Sequence, residues 1–226
     1  MTRISVVVMV ALGLLAAVGC SNKKLIAQKD AEIAGLQSDV TRLQGEVERQ
    51  RQMNEELNAQ LAGLQQENRV LIQQKDDLTF ITLDGSATFG TAQADLTPEG
   101  REVIDQVWTV LANYPDRRVL IEGHTDSRPI RSSFRWKYPS NWELSSARAH
   151  AVLHHVLERD DVNPARLAAV GYAEFHPVGD NATSEGRLLN RRVVITIGSV
   201  TSVERHMQEL QEDLPEEVPG ETSLLR

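Results

Sequence analysis

From Ile26 onward, apolar residues recur every seven positions. One set reads Ile26, Ile33, Val40, Val47, Asn54, Leu61, Asn68 and Lys75; the set three residues later reads Lys29, Leu36, Leu43, Gln50, Leu57, Leu64, Leu71 and Leu78. β-Branched residues at the first position with leucine at the second favour a parallel two-stranded coiled coil, so residues 23–78 are expected to form one long helix paired with a second copy. Asn54 and Asn68 would meet across that seam and fix its register at some cost in stability. Gly35, Gly45 and Gly63 fall outside the seam, weakening the helix without removing a knob. At about 1.5 Å per residue the rod reaches roughly 80 Å. Every Phe, Trp and Tyr lies at or beyond Phe80, so this stretch lacks the bulky side chains of a globular core.

Beyond Leu78 the period changes. Leu78–Leu83 reads as a strand. Thr97-Pro98-Glu99-Gly100 opens a helix with Thr97 as cap and Pro98 in the first turn, and Val103, Ile104, Val107, Trp108 and Leu111 supply its apolar face. Val119–His124 is a second strand. Ser140-Asn141-Trp142-Glu143 is a capping box, followed by a helix with Ala149, Val152, Leu153, Val156 and Leu157 on one side. Leu167–Tyr172 and Arg192–Ile197 are two more strands, the latter with Val193, Ile195 and Ile197 on one face, and a short helix over Thr183–Leu189 lies between them. Residues 79–199 therefore predict an α/β fold, a β-α-β-α-β-α-β sandwich whose helices cover one side of a small sheet.

The N-terminus has another pattern. Arg3 precedes an apolar run from Ile4 to Val18, shorter than the roughly 20 residues of a comfortable membrane helix but suited to a signal peptide. Ala17-Val18-Gly19-Cys20 resembles the lipobox of bacterial lipoproteins, with alanine where leucine is usual. That resemblance implies a signal peptide over 1–19, lipid on Cys20, and a lipidated N-terminus at 20–22. Ser21 after the cysteine resembles a signal for transfer to the outer membrane. An uncleaved inner-membrane anchor and an ordinary secreted signal are the alternatives.

Net charge is -8 and the pI near 5.3, which argues against a nucleic-acid partner bound through diffuse phosphate attraction. Acids from Glu204 to Glu221 outnumber Arg205 and Arg226, so residues 200–226 read as a flexible acidic tail. Cys20 is the single cysteine, which excludes an intrachain disulfide and a multi-cysteine zinc site, and the adjacent His154 and His155 point in different directions. No metal or cofactor is expected.

Candidate chemistry gathers where a strand exits. His124, Thr125 and Asp126 follow the second strand, a common ligand position in α/β folds, and Arg148 lies on the helix that follows. Asp126 could take an ammonium while Arg148 grips a carboxylate with its planar fork, together recognising a zwitterion. The residues alone favour an Asp126 turn or cap and an Arg148 surface ion pair. The loop from Ser127 to Pro139 carries Arg128, Arg131, Arg135 and Lys137 with Phe134, Trp136 and Tyr138 alternating. It reads either as a binding surface, with Trp136 and Tyr138 as accessory contacts, or as a self-packed cover.

GHTD at 123–126, NWELSSARA at 141–149, GYAEFHP at 171–177 and NRRVVITI at 190–197, in that order, resemble the OmpA-like peptidoglycan-binding domain. That domain occurs in outer-membrane proteins, peptidoglycan-associated lipoproteins and the MotB stator proteins of flagellar motors. The resemblance implies a small mixed sheet and a site for diaminopimelate in the wall's stem peptide. Asp126 and Arg148 match its ligand-binding pair, Asn141 and Leu144 the pocket mouth, Thr125 a neighbouring position, and Arg192 a position near the bound peptide. Many members have Phe-Asp where this chain has Phe89-Gly90, one carboxylate fewer, and the long 127–139 loop resembles the stator subgroup.

The expected function is noncovalent attachment of the outer membrane to peptidoglycan by a lipid-anchored parallel homodimer with its folded domain in the periplasm. A flagellar stator-like wall anchor is the alternative; Ile4–Val18 lacks the ionisable residue a stator's membrane helix carries. A cell-wall enzyme is less favoured, because His124, Asp126 and Ser145 form no nucleophile elbow or ordered triad spacing.

Overall fold

The computed structural model describes residues 2–90 and 93–214, and the side chains of the first helix from Lys23 onward. The chain divides into two compact units, Met1–Gln50 and Arg51–Arg226. Helix α1 spans Thr2–Gln66 and stops well before Leu78. Its end is a Schellman-type cap: Asn68 adopts φ 56°, its amide donates to Gln65 O at 3.0 Å, and the Arg69 amide donates to Leu64 O at 3.0 Å. Strand β1 (Val70–Lys75) follows and pairs antiparallel with β2 (Leu78–Asp84) around a tight turn at Asp76-Asp77.

The expectation of a coiled coil over 23–78 is thus corrected at its C-terminal end. Met53, Leu57, Leu61 and Leu64 are buried in the core of the second unit. Asn54 accepts a 2.6 Å hydrogen bond from Thr79 Oγ1 in that core, so it is not available to pair with a second copy. Asn68 ends the helix. The leucines at 64, 71 and 78 kept the period of seven running across a helix end and into a hairpin, where Leu71 is exposed and Val70 packs inward. The folded domain therefore begins inside α1, near Arg51, and not at residue 79.

The remaining elements follow the sequence closely. A short helix α2 (Gly85–Thr88) precedes α3 (Pro98–Leu111), whose Thr97 cap accepts from the Gly100 amide. Strand β3 (Arg118–Gly123) leads to α4 (Asn141–Leu157), which opens with the complete Ser140/Glu143 capping box. Then come β4 (Leu167–Gly171), α5 (Ser184–Asn190), β5 (Arg192–Gly198) and α6 (Val200–Glu212). Sheet order is β1-β2-β5-β3-β4, with β3 and β4 parallel and the other pairs antiparallel. The mixed β-α sandwich stands, with one strand (β1) and two helices (α2 and α6) more than expected.

Alternation along the strands separates two faces. Ile81, Leu83, Val119, Ile121, Val193, Ile195 and Ile197 pack against α1, α3 and α4. Leu78 and Leu120 face the other way, where Val203 and Met207 of α6 cover them. Helices thus lie on both sides of the sheet, a correction to the one-sided sandwich. It also corrects the flexible acidic tail over 200–212: Ser199 caps α6, Ser202 bonds Asp77, and Arg205 pairs with Asp77 at 3.1 Å, while Glu204, Glu209 and Glu212 stay exposed. Residues 215–226 lie outside the described residues.

A buried polar group sits under α6. Glu122 accepts from Thr196 Oγ1 and lies 3.2 Å from His206 Nε2. His124 stacks on Tyr172, and neither of its ring nitrogens has a hydrogen-bond partner, although Nε2 lies 3.9 Å from Glu122 Oε2. Burial, then the positive charge of Arg192, holds its pKa well below the ordinary value. Burial also lowers that of His176, the next ring in the cluster.

Two outcomes follow from this packing. Leu57→Ala should cost about 2–5 kcal/mol of domain stability through cavity formation, with a thermal midpoint that does not depend on protein concentration. A concentration-dependent midpoint would return Leu57 to an intermolecular seam. Because the folded domain refuses protons that unfolded histidines accept, stability should be complete above about pH 6.5 and decline as pH falls below it. Urea titrations across pH should give a shallower decline for His124→Leu than for the parent; equal slopes would refute the assignment to His124.

Candidate functional site

Strand β3 delivers the chain to the site at Gly123, which pairs with Gly171 of β4. A Cβ on Gly123 would fall 2.0 Å from Ser145 O, and one on Gly171 2.3 Å from Ser146 Oγ. The missing side chains let the first turns of α4 lie directly on the sheet. Two bonds lock the contact: the Thr125 amide donates to Ala173 O at 2.8 Å, and the Ala173 amide donates to Ser145 Oγ at 3.1 Å. They hold Ala173 at φ 47°, a conformation uncommon for a residue with a side chain.

Beside this contact is a cavity of about 410 Å³ whose walls include Thr125, Asp126, Asn141, Leu144, Arg148 and Arg191. Gly85, Ser86, Phe89, Gly90 and the Arg128–Arg131 stretch of the long loop complete it. Five of the six principal sequence candidates meet here. Asn141 Nδ2 donates to Asp126 O at 3.2 Å and to Arg128 O at 3.1 Å, tying the loop to the start of α4. Leu144 is buried and packs with Ala94 and Tyr138, so it is both wall and core. Thr125 Oγ1 is buried without a hydrogen-bond partner.

Arg148 is buried at the back of the cavity. Its Nε donates to Gln93 O at 3.0 Å, and its guanidinium lies 5.3 Å from the centre of the Phe89 ring. Burial, and next the charge of Arg191, pulls its pKa down to about 10, which leaves it cationic at neutral pH. Among the described residues no acceptor is recorded for its two terminal nitrogens. Asp126 is arranged differently: Oδ1 accepts from the Arg128 amide at 3.0 Å and Oδ2 pairs with Arg191 Nη1 at 2.5 Å.

Arg192 is not in the cavity, a correction to its expected place. It is buried on the other face, where Nη2 donates to His176 O at 3.0 Å and Nη1 to Asn190 O at 3.4 Å. Arg191 holds the place instead. The signal was present in the alternation: position 191 shares parity with Val193, Ile195 and Ile197, which face α4 and Arg148, while Arg192 shares parity with Thr196. Tyr138 is also corrected as a surface contact, since it is buried beneath the loop against Leu144. Trp136 is 81% exposed. The Cys20 side chain lies outside the described residues, and among those described no helix is long and apolar enough to cross a membrane.

A second cavity, about 480 Å³, lies between α6, the end of β4 and Trp142, but its lining is largely apolar and holds no acid–base pair. Among the described residues no group of three or more His, Cys, Asp and Glu side chains could hold a metal ion.

Residues 88–191 match the family model described as the OmpA family, a span that contains every wall residue of the charged cavity except Gly85 and Ser86. A solved structure described as the cell wall anchor of the T6SS from Pseudomonas aeruginosa is 34% identical with a TM-score of 0.57, over 63% of this chain and 96% of that one. Over residues 88–191 the folded domain is OmpA-like. Domains of this family are structural and non-catalytic. Among curated relatives, YtxE of Bacillus subtilis is 38% identical over 117 residues, covering 52% of this chain and 47% of that protein. Motility protein B of Bacillus subtilis is 35% identical over 118 residues, covering 52% and 44%. The chain thus spans about half the length of the curated relatives it matches.

Gly123→Ala should remove the close approach on which this OmpA-like site rests. The added methyl meets backbone, which cannot swing aside, so a loss of about 1–3 kcal/mol is expected from overpacking. Gly35→Ala, with open space around it on exposed helix, should be neutral or slightly stabilising. Equal thermal midpoints for parent and Gly123→Ala would contradict the packing described.

Proposed function

We propose that this domain binds peptidoglycan noncovalently, with Asp126 and Arg148 recognising the zwitterionic centre of diaminopimelate in the stem peptide. The observation that carries the reading is Arg148: a buried cation with its fork unclaimed beside an orphaned Thr125 hydroxyl. Leaving a buried hydroxyl and a buried guanidinium fork without acceptors costs free energy, so their meeting at one cavity favours a ligand acceptor that supplies the missing bonds. Asp126, already oriented by Arg191 and the Arg128 amide, receives the ammonium, and Arg191 shifts from Asp126 toward the incoming carboxylate. Gly90 leaves the cavity with one carboxylate fewer than many members have, so Asp126 acts alone. Trp136, held out on the basic loop, touches the wall beside the stem peptide; Tyr138 props the loop from below.

The physiological form best supported is a wall anchor for an envelope machine, resembling a stator, and not a passive outer-membrane tether. Relatives named motility protein B and cell wall anchor of the T6SS favour it. In this reading the domain is periplasmic. Lipid on Cys20, and with it outer-membrane attachment, remains part of the proposal on the lipobox-like sequence alone, and intact-mass analysis of the Cys20→Ser variant tests it.

Calorimetry with a soluble diaminopimelate-containing stem peptide tests the pocket. Asp126→Ala and Arg148→Ala should each weaken binding at least about thirtyfold, roughly 2 kcal/mol, while Arg148→Lys recovers only part because an ammonium lacks the two-donor fork. Trp136→Ala should weaken sedimentation with intact wall without lowering thermal stability, whereas Tyr138→Ala should lower stability. Parent-like affinity in both folded single variants at 126 and 148 would end the proposal.

A further inference from the structure

The helical unit Met1–Gln50 carries an apolar stripe that none of the described residues covers. Ile26, Ile33, Leu36, Val40, Leu43 and Val47 follow heptad spacing and are each between 50% and 70% exposed. Downstream the same spacing continues through Leu57, Leu61 and Leu64, but those side chains are consumed by the folded domain. One continuous pattern therefore serves two partners, and only its first half is open. An isolated helix gains little from a stripe of large apolar residues in water, and contiguous exposed patches of this kind mark contact surfaces.

We infer that the stripe from Ile26 to Val47, and not the longer heptad run, is the contact with a second copy of this chain, in parallel orientation. The occupant is identified by side-chain type and by charge. Ile26, Ile33, Val40 and Val47 at the first seam position with Leu36 and Leu43 at the second are the set that packs as a parallel two-stranded coil. The flank beside the second position is acidic throughout: Glu32, Asp39 and Glu46. In an antiparallel pair that flank meets its own copy, setting carboxylate against carboxylate along the contact. In a parallel pair Glu32 meets Gln37, Asp39 meets Gln44 and Glu46 meets Arg51, with no like charges opposed. Lys29, the one charge in the open seam, is drawn sideways to Glu32 at 2.6 Å, which removes its ammonium from the apolar line.

The contact is short. A few heptads make a weak coil, so the pair is reversible at tens of micromolar in solution and is held more firmly where the chains are already concentrated, as on a shared membrane or wall. Resting on the wall-anchor reading, this makes attachment bivalent: one domain's binding holds the other within reach, and retention exceeds single-site affinity without any new contact at the pocket.

The full chain carrying Cys20→Ser serves for the test. Sedimentation equilibrium in the tens of micromolar should show a reversible dimer that Val40→Asp with Leu43→Asp abolishes, with Leu36→Ala plus Leu43→Ala as a milder variant that keeps the helix. Circular dichroism and the domain's thermal midpoint check folding. With Ile33→Cys as the lone thiol, oxidation should join identical positions, as parallel packing requires. Failure of that bond, together with cross-linking in a mixture of Ile33→Cys and Val47→Cys chains, would overturn the orientation. A monomeric parent chain would overturn the contact itself. Retention on intact wall should fall at least about tenfold in the charged variant, while affinity for the soluble stem peptide stays unchanged. Unchanged wall retention would overturn bivalency; loss of stem-peptide binding by the parent would instead remove the pocket reading and leave sedimentation to decide the dimer.

Discussion

The contact between the first turns of α4 and the paired glycines of β3 and β4 sets the geometry of everything functional in this domain. Gly123 and Gly171 lie opposite each other in neighbouring parallel strands, and backbone or hydroxyl atoms of Ser145 and Ser146 occupy the space their side chains would need. Only that approach brings Asn141 close enough to tie down the Asp126–Arg128 backbone and carries Arg148 to the back of the cavity. A helix standing off by the ordinary spacing of helix on sheet would leave the carboxylate and the guanidinium on opposite banks of a wider groove.

The cavity's electrostatics are uneven, and the unevenness is informative. Asp126 is satisfied in the free domain by Arg191 and a backbone amide, whereas Arg148 has lost its water and gained one carbonyl and an aromatic face. Burying a guanidinium with an incomplete set of acceptors costs free energy, which other packing in the domain must offset. In the proposed binding mode, a ligand carboxylate that completes the set would recover that cost.

The first helix joins two kinds of packing in one sequence pattern. From Leu25 to Val47 its large apolar residues face solvent, and from Met53 they enter the domain's core together with Asn54, whose side chain is paired with Thr79. Heptad spacing cannot distinguish these cases, because a helix presents the same stripe whether a second helix or a sheet covers it. What separates them is the presence of β2 and β5 at the right height to receive Leu57 and Leu61.

The sequence by itself determined most of the local elements and singled out five of the residues that line the charged cavity. Caps at Thr97 and Ser140 set two helix starts, alternation in β5 set its two faces, and the separated motifs pointed to the family and picked Asp126, Arg148, Asn141, Leu144 and Thr125. These signals are short-range, carried by residues within a turn or two of one another. Tertiary structure alone decided where the long helix ends, that residues 200–212 fold back as α6 over the bare face of the sheet, that Tyr138 is buried while Trp136 is not, and that Arg191 faces Asp126 while Arg192 turns away. Each of those depends on which distant surface is available to cover a side chain, and a run of leucines or a pair of arginines has the same local preference whichever surface comes to meet it.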